Sequence, residues 1–394
     1  MSLTGPLLLT QRAGSVVTPV HVGDGIVDSI GEIAAAACAD RQPSVACVLH
    51  DSNVRGFADR TIASLERTGL RVAGIPVMAS ERRKTLAAVE HFCRAMASAG
   101  ADRDALLLAV GGGMVGDVAG FVAASWMRGV RWIQVPTTLL GMVDAALGGK
   151  TGVNLELADG TLAKNMIGAI WQPRAIVSDV SSLASLPERT LRAGIAECVK
   201  HAMLADAGLL DELPTLAALA GPDATTRADA VRVIARAAQV KLDIVARDER
   251  EHGDRMLLNL GHTFAHAIEA CHPDRWLHGE AVAIGLVAAM GAAAEQGRSG
   301  VAHRPSDADV ESIRSCLGSL GLPTELPASS PWDRIRAAME SDKKRRGGGL
   351  TLILPRGGAG AGADIVREAP DATVAAGLSA IGMRSLKAES ANVR

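Results

Sequence analysis

The chain has 394 residues, 48% of them apolar and 21% charged, with a net charge of −2 at pH 7. That length accommodates two or three domains and a large core. The near-neutral balance leaves no electrostatic footprint for nucleic acid; aromatics at 2% and an absence of tyrosine exclude both a base-stacking platform and a Tyr acid.

MSLTGPLLLTQRAG, at the start, has no basic segment ahead of its short apolar run, so no signal peptide is expected. SVACVLHD (44–51) reads as a strand ending in Asp, RTIASLERTG as a helix, and VAGIPVMA as a short strand. RKTLAAVEHFCRAMASAG is an amphipathic helix closed by Gly100. ALLLAVGGG (105–113) is a buried strand running into glycines, and WIQVPTT (132–138) is another strand. This alternation predicts an α/β domain over residues 1–180, with a mostly parallel, Rossmann-like nucleotide-binding sheet.

Beyond SDVSSLASLP (178–187) the texture turns helical. SLPERTLRAGIAECVKHAMLAD, ATTRADAVRVIARAAQVKLDIVARDERE, LGHTFAHAIEA and GEAVAIGLVAAMGAAAEQG carry helical periodicity, and strands return only at LTLILP (350–355). Residues 181–394 are therefore expected to form a mostly α-helical domain, with RGGAGAGAD (356–364) as a flexible loop. The uncharged run AVAIGLVAAMGAAA (281–294) is too short to span a membrane and reads as a buried helix. Six scattered cysteines without a CxxC pair suit a reducing cytosol, so a cytoplasmic protein is expected.

Three features carry chemistry. Gly111-x-Gly113-x-x-Gly116 follows a buried strand and opens an apolar helix, the context in which backbone approaches a pyrophosphate at a helix N-terminus. No acidic residue stands about 20 positions further on, as a ribose contact would require. Asp51, ending an earlier strand, is the natural substitute, which implies a strand order other than the common Rossmann one. Second, Arg128, Lys150, Lys164 and Asn165 lie among glycines and near Asp144 in an otherwise apolar stretch, a pattern suited to phosphate or carboxylate. Third, four of the ten histidines, His262, His266, His272 and His278, crowd one short segment. His262 and His266 at i, i+4 share a helix face and could reach one ion, but spacing alone does not choose among the four.

GGGMVGDVAGFVAASWMRG, VPTTLLGMVDAALGGKTGVN, AKNMIGAIWQP, GIAECVKHAML, DEREHGDRMLLNLGHTFAHAIE, LHGEAVAIG and SDKKRRGGGLTLILP together resemble the dehydroquinate synthase family of sugar-phosphate cyclases, over roughly residues 44–356. The chain departs in carrying a longer link, LELADGTLA, between Lys150 and Lys164. The resemblance implies a phosphate-eliminating carbon–oxygen lyase of the shikimate route to aromatic amino acids. It would turn 3-deoxy-arabino-heptulosonate 7-phosphate into 3-dehydroquinate with catalytic NAD and a divalent metal, Zn²⁺ or Co²⁺.

Carried over by position, the resemblance implies Glu197, His262 and His278 as metal ligands. It implies NAD contacts from Asp51, Glu81, Lys84, Gly112, Gly113, Asp117, Thr137 and Thr138. By themselves Glu81 and Lys84 read as a surface ion pair. Implied substrate contacts are Asp144, Lys150, Lys164, Asn165, Lys200, Lys241, Arg255, Asn259 and His266, with one of Lys343 and Lys344. Arg128 is implied at the phosphate, from the neighbouring subunit of a homodimer. Lys241 and Arg255 suit the substrate carboxylate, and His266 suits proton handling rather than ligation. Two alternatives stay open: an amino-analogue synthase or another sugar-phosphate cyclase, and a metal-dependent dehydrogenase of the glycerol dehydrogenase type.

Overall fold

The computed structural model describes residues 6–158, 160, 162–220, 225–327, 330–345 and 349–383. The chain divides into two compact units, residues 1–187 with 218–250 and residues 188–217 with 251–394.

The first unit opens with an antiparallel hairpin, β1 (Leu7–Ala13) and β2 (Val16–Gly23), where the sequence offered no strand signal beyond a short apolar run. After α1 (Ile30–Ala37), strands and helices alternate: β3 (Ala46–Asp51), α2 (Arg55–Glu66), β4 (Val72–Val77), α3 (Leu86–Ser98), β5 (Leu106–Gly111), α4 (Gly113–Ser125) and β6 (Arg131–Pro136). α3 starts where the Thr85 side chain accepts from the Ala88 N–H at 3.3 Å, and Gly100 after it is left-handed at φ 74°. Two antiparallel strands, β7 (Lys150–Glu156) and β8 (Leu162–Ile170), form a separate ribbon, and β9 (Ala175–Asp179) returns to the main sheet.

That sheet has the order β1-β2-β9-β6-β5-β3-β4, parallel from β2 onward. Its β4-β3-β5-β6 run is the start of a flavodoxin-type arrangement, as the missing acidic residue after the glycine loop implied. The chain reverses direction across the sheet between β3 and β5, and ligands of open α/β sheets bind outside the carboxyl ends at such a point. Both faces are covered, which is why the strands read as continuous apolar runs. Leu107 and Ala109 pack with Phe92, Met96 and Val118 on one side. Leu106, Leu108 and Val110 pack with Ile30, Ala34 and Leu65 on the other.

α5 (Glu188–Ala205) and the short α6 (Pro214–Ala217) begin the second unit, but α7 (Thr225–Arg247) belongs to the first. A single division after residue 180 therefore misplaces α7. The physical reason is its apolar stripe: Ala230, Val233, Ile234, Ala237, Ala238, Leu242 and Val245 are buried at helical spacing, and α7 packs on β1, β2 and the turn at 141–145.

The second unit continues with α8 (His262–Cys271), α9 (His278–Arg298), α10 (Asp307–Ser319), α11 (Trp332–Arg345), an antiparallel pair β10 (Leu352–Pro355) and β11 (Ala363–Val366), and α12 (Asp371–Ala380). The loop expected at 356–364 thus ends inside a strand. α9 is its centre, buried along nearly its whole length and packed by α5, α8, α10 and α12. With few aromatics to fill gaps, helices approach closely. A Cβ at Gly285 would stand 2.3 Å from the Gly261 carbonyl oxygen, and one at Gly279 would stand 1.8 Å from that of Ala193. No helix among the described residues is long and apolar enough to cross a membrane.

Candidate active site

In the second unit, α5, α8 and the first residue of α9 bring Glu197, His262 and His278 together, their ligand atoms within 4.8 Å of one another. Glu197 Oε1 lies 3.6 Å from Nε2 of His262 and 3.6 Å from Nε2 of His278. Two donors bound to one tetrahedral ion at about 2.0–2.2 Å sit roughly 3.4 Å apart, so this spacing suits a shared ion. The outer nitrogens are committed: His262 Nδ1 faces the Leu260 carbonyl at 3.1 Å and His278 Nδ1 faces Glu269 Oε2 at 3.3 Å. Such partners fix the tautomer and turn each Nε2 towards Glu197, as ligation of a shared ion would require. Burial pushes the His262 imidazole well below its ordinary value, with Lys200, His278 and His266 adding to the effect, so the ring is neutral.

Glu197 is fully buried, and neither carboxylate oxygen accepts a well-formed hydrogen bond, although the Lys200 ammonium makes an ion-pair contact with Oε2. The close approach without hydrogen-bond geometry is best read as charge compensation. A buried carboxylate with that orientation fits the donor set of a cation site. His266 is outside the ligand group; its ring stands edge-on to His262 at 5.5 Å and stacked on His278 at 6.2 Å. His272, the fourth histidine, is the residue closing α8. Arg255 is almost wholly buried, and Asn259 Nδ2 donates to Glu251 Oε1 at 2.6 Å.

In the first unit, Asp51, Gly112, Gly113, Thr137 and Thr138 lie at the carboxyl ends of β3, β5 and β6, flanking the switch point. α4 starts at Gly112 with no side-chain cap, and an uncapped helix N-terminus is a ready place for an anion. A Cβ at Gly112 would lie 3.1 Å from Thr138 Cγ2, and one at Gly113 2.9 Å from Ala145 Cβ, so the cradle closes to any larger residue. These residues fit a dinucleotide.

Lys84, 3% exposed, donates to Asp117 Oδ2 at 2.5 Å and to Asn165 Oδ1. It is not the surface ion-pair partner of Glu81 that its spacing suggested by itself. Burial raises the Asp117 carboxyl, against the pull of the Lys84 charge. Asp144 sits in a π-helical turn (Gly141–Ala145) and accepts from Lys241 Nζ at 2.9 Å, while its carbonyl accepts from the same ammonium at 2.7 Å. Lys150 and Lys164 are both exposed on the β7–β8 ribbon. The register shifts between the pairs Val153–Ile167 and Leu155–Ala163, so Lys164, Asn165 and Met166 stand against Asn154, four positions along β7 from Lys150. The longer link between them supplies the far end of the ribbon, where Leu155 pairs with Ala163 and Glu156 with Leu162. Arg128 is exposed with φ 66°. The side chains of Lys343 and Lys344 lie outside the described residues.

The description "3-dehydroquinate synthase N-terminal" matches residues 74–193, and "3-dehydroquinate synthase C-terminal" matches residues 194–345. The chain belongs to the 3-dehydroquinate synthase family. A 3-dehydroquinate synthase of Halorhodospira halophila is 43% identical over 86% of this chain and 90% of its own length. The solved 2-epi-5-epi-valiolone synthase of Streptomyces hygroscopicus subsp. jinggangensis, with NAD⁺ and Zn²⁺ bound, is 29% identical with a TM-score of 0.79, covering 94% of this chain and 98% of that one. A 2-deoxy-scyllo-inosose synthase complexed with carbaglucose-6-phosphate, NAD⁺ and Co²⁺ has a TM-score of 0.79 at 24% identity, covering 95% and 99%, and shares the fold.

Against this family background, three features of the site were not singled out from the sequence. Glu269, which holds His278, stands at i+7 from His262 on the same helix face, a signal the spacing did contain. Arg189 forks onto Glu280 at 2.7 and 2.8 Å, and Glu280 Oε2 also accepts from the Leu277 N–H at 2.8 Å, fixing the start of α9. Asn154, buried beneath Lys84 and Glu81, had no local signal.

Proposed function

We propose that the chain catalyses the ring-forming conversion of 3-deoxy-arabino-heptulosonate 7-phosphate to 3-dehydroquinate and phosphate, as a carbon–oxygen lyase in the cytoplasm and as a homodimer. The convergence of Glu197, His262 and His278, in a chain of this family, carries the reading. These three would hold a Zn²⁺ or Co²⁺ ion. Asp51, Glu81, Lys84, Gly112, Gly113, Asp117, Thr137 and Thr138 would hold NAD. When bound, the metal polarises a substrate hydroxyl and the NAD takes up and returns a hydride, so no outside redox partner is consumed.

The remaining residues bind and orient. Lys150, Lys164, Asn165 and Arg128 meet the phosphate, and their positive charge favours its departure as an anion. Lys241, held by Asp144, and buried Arg255 suit the substrate carboxylate, with the guanidinium offering two parallel donors. Asn259 and Lys200 orient hydroxyls beside the metal ligands. His266, one helical turn from His262, moves a proton at a substrate oxygen.

The test supplies the heptulosonate phosphate with substoichiometric NAD and follows phosphate and NADH. Many phosphates released per NAD are expected. NADH accumulating in step with substrate, as a glycerol dehydrogenase type enzyme would give, or no phosphate at all, overturns the reading. EDTA should abolish release and Zn²⁺ or Co²⁺ restore it. A panel with the amino analogue and sedoheptulose 7-phosphate ranks the substrates.

A further inference from the structure

Asn154 occupies the irregularity of the β7–β8 ribbon, where the register shifts between Val153 and Leu155. Such a bulge turns one side chain away from the ladder. Here it points into protein: Asn154 is 2% exposed. Its Nδ2 donates to Glu81 Oε1 at 2.7 Å and to the Glu81 carbonyl at 3.1 Å, while its Oδ1 accepts from the Asn165 N–H at 2.9 Å. Its own backbone N–H donates to the Lys84 carbonyl at 2.8 Å. Chemistry dictates the amide's orientation, because the reverse would set an NH₂ against the Asn165 N–H and an oxygen against two Glu81 acceptors.

The ring of contacts closes through Asn165. That residue is left-handed at φ 55°, a conformation Asn tolerates, and the Asn154 bond holds its N–H there. Its side-chain oxygen then accepts from Lys84 Nζ, which also donates to Asp117. One buried amide thus ties the turn carrying Glu81 and Lys84 to the strand carrying Lys164 and Asn165.

We propose that Asn154 is a positioning residue that keeps the cofactor-side turn at Glu81–Lys84 and the substrate-side strand at Asn165 in one register. This rests on the reading that Glu81 and Lys84 hold NAD and Asn165 the substrate. It assigns the last residue of GGKTGVN a role in affinity for both ligands.

Asn154→Asp is the informative variant. It keeps the shape and the acceptor for Asn165 but replaces the donors facing Glu81 with a second carboxylate. Hydrogen bonds to a charged partner of this kind are worth roughly ten- to hundredfold. N154D should therefore raise the KM for NAD about tenfold or more, with a smaller fall in kcat. Adding E81Q reverses donor and acceptor in the side-chain bond and restores it, leaving only the 3.1 Å contact to the backbone carbonyl at position 81 unmade. N154D should then cost several-fold less in KM for NAD in the E81Q background than in the wild type. Equal losses from N154D in both backgrounds, or an unchanged KM in N154D, overturn the proposal. Thermal melts accompany each variant. Should N154D fail to fold, Asn154→Ser, which adds no charge, takes its place: a rise of about tenfold in the KM for NAD upholds the link and an unchanged one refutes it. Phosphate release by the wild type, measured first, tests the functional reading separately.

Discussion

Glu197 and His278 approach to 3.6 Å between carboxylate Oε1 and imidazole Nε2, one from within α5 and the other from the first position of α9. The i, i+4 pair of α8, by contrast, contributes only His262 to that group. His278→Ala should leave the purified protein without metal after dialysis, read by elemental analysis. His266→Ala should retain metal and lose turnover by about a hundredfold or more, the scale of general acid–base assistance. Glu269→Gln should lie between, with metal affinity weakened about 10- to 100-fold through loss of the His278 orienting partner.

Lys200 and Glu197 form an ion pair with side-chain exposures of 1% and 0%. Breaking a buried pair by removing one partner costs about 3–5 kcal/mol, because the other charge is left uncompensated. Lys200→Met should therefore destabilise the metal-free protein strongly. A bound divalent cation would compensate Glu197, so Zn²⁺ should raise the melting temperature of K200M more than that of the wild type. An equal metal-induced shift in both proteins would contradict this.

Glycines at two helices should respond oppositely to alanine. At Gly285 the new methyl meets the Gly261 backbone oxygen at 2.3 Å, which only a backbone shift relieves. G285A should cost about 1–3 kcal/mol in a denaturant titration. It should also weaken metal binding, because Gly261 leads directly into His262. A methyl added at Gly56 in α2 would meet nothing within 4 Å, so G56A should be neutral or stabilising by up to about 1 kcal/mol.

Asp364 sits between Arg304 Nη1 at 2.9 Å and Arg356 Nε at 2.7 Å. Burial alone would raise its carboxyl, but the bonds and charges of the two arginines outweigh it and hold it below the ordinary range. A carboxylate with a depressed folded-state pKa adds stability that is complete above its unfolded value, near 4, and fades as pH falls through the folded value. Asp364→Asn should thus be less stable than the wild type at neutral pH, with the gap narrowing steadily below about pH 4. Urea titrations across that range read it directly.

Much of the architecture is legible because it depends on local periodicity. Buried parallel strands such as LLLAV and helices such as α3, with Thr85 and Gly100 at its ends, declare themselves within a few residues. The β1–β2 hairpin and the β7–β8 ribbon do not: their apolar content is modest, Pro19 and several glycines interrupt it, and pairing partners decide such strands. α7 is legible as a helix, yet a division after residue 180 sets it on the wrong side, since periodicity reports a buried stripe and not what buries it.

Residue types and motif order are enough to settle the family, the glycine turn after β5 and the kinds of side chain available for metal, anion and proton chemistry. Local spacing could not choose between His266 and His278 as the partner of Glu197 and His262; the resemblance implied His278, and packing brings those three together. Packing alone turns Lys84 inward to Asp117 and Asn165 and sets Asn154 between two distant segments. Each is a meeting of atoms a few ångströms apart on elements remote in the chain. Such meetings are fixed by how helices and strands pack, for which no local pattern exists.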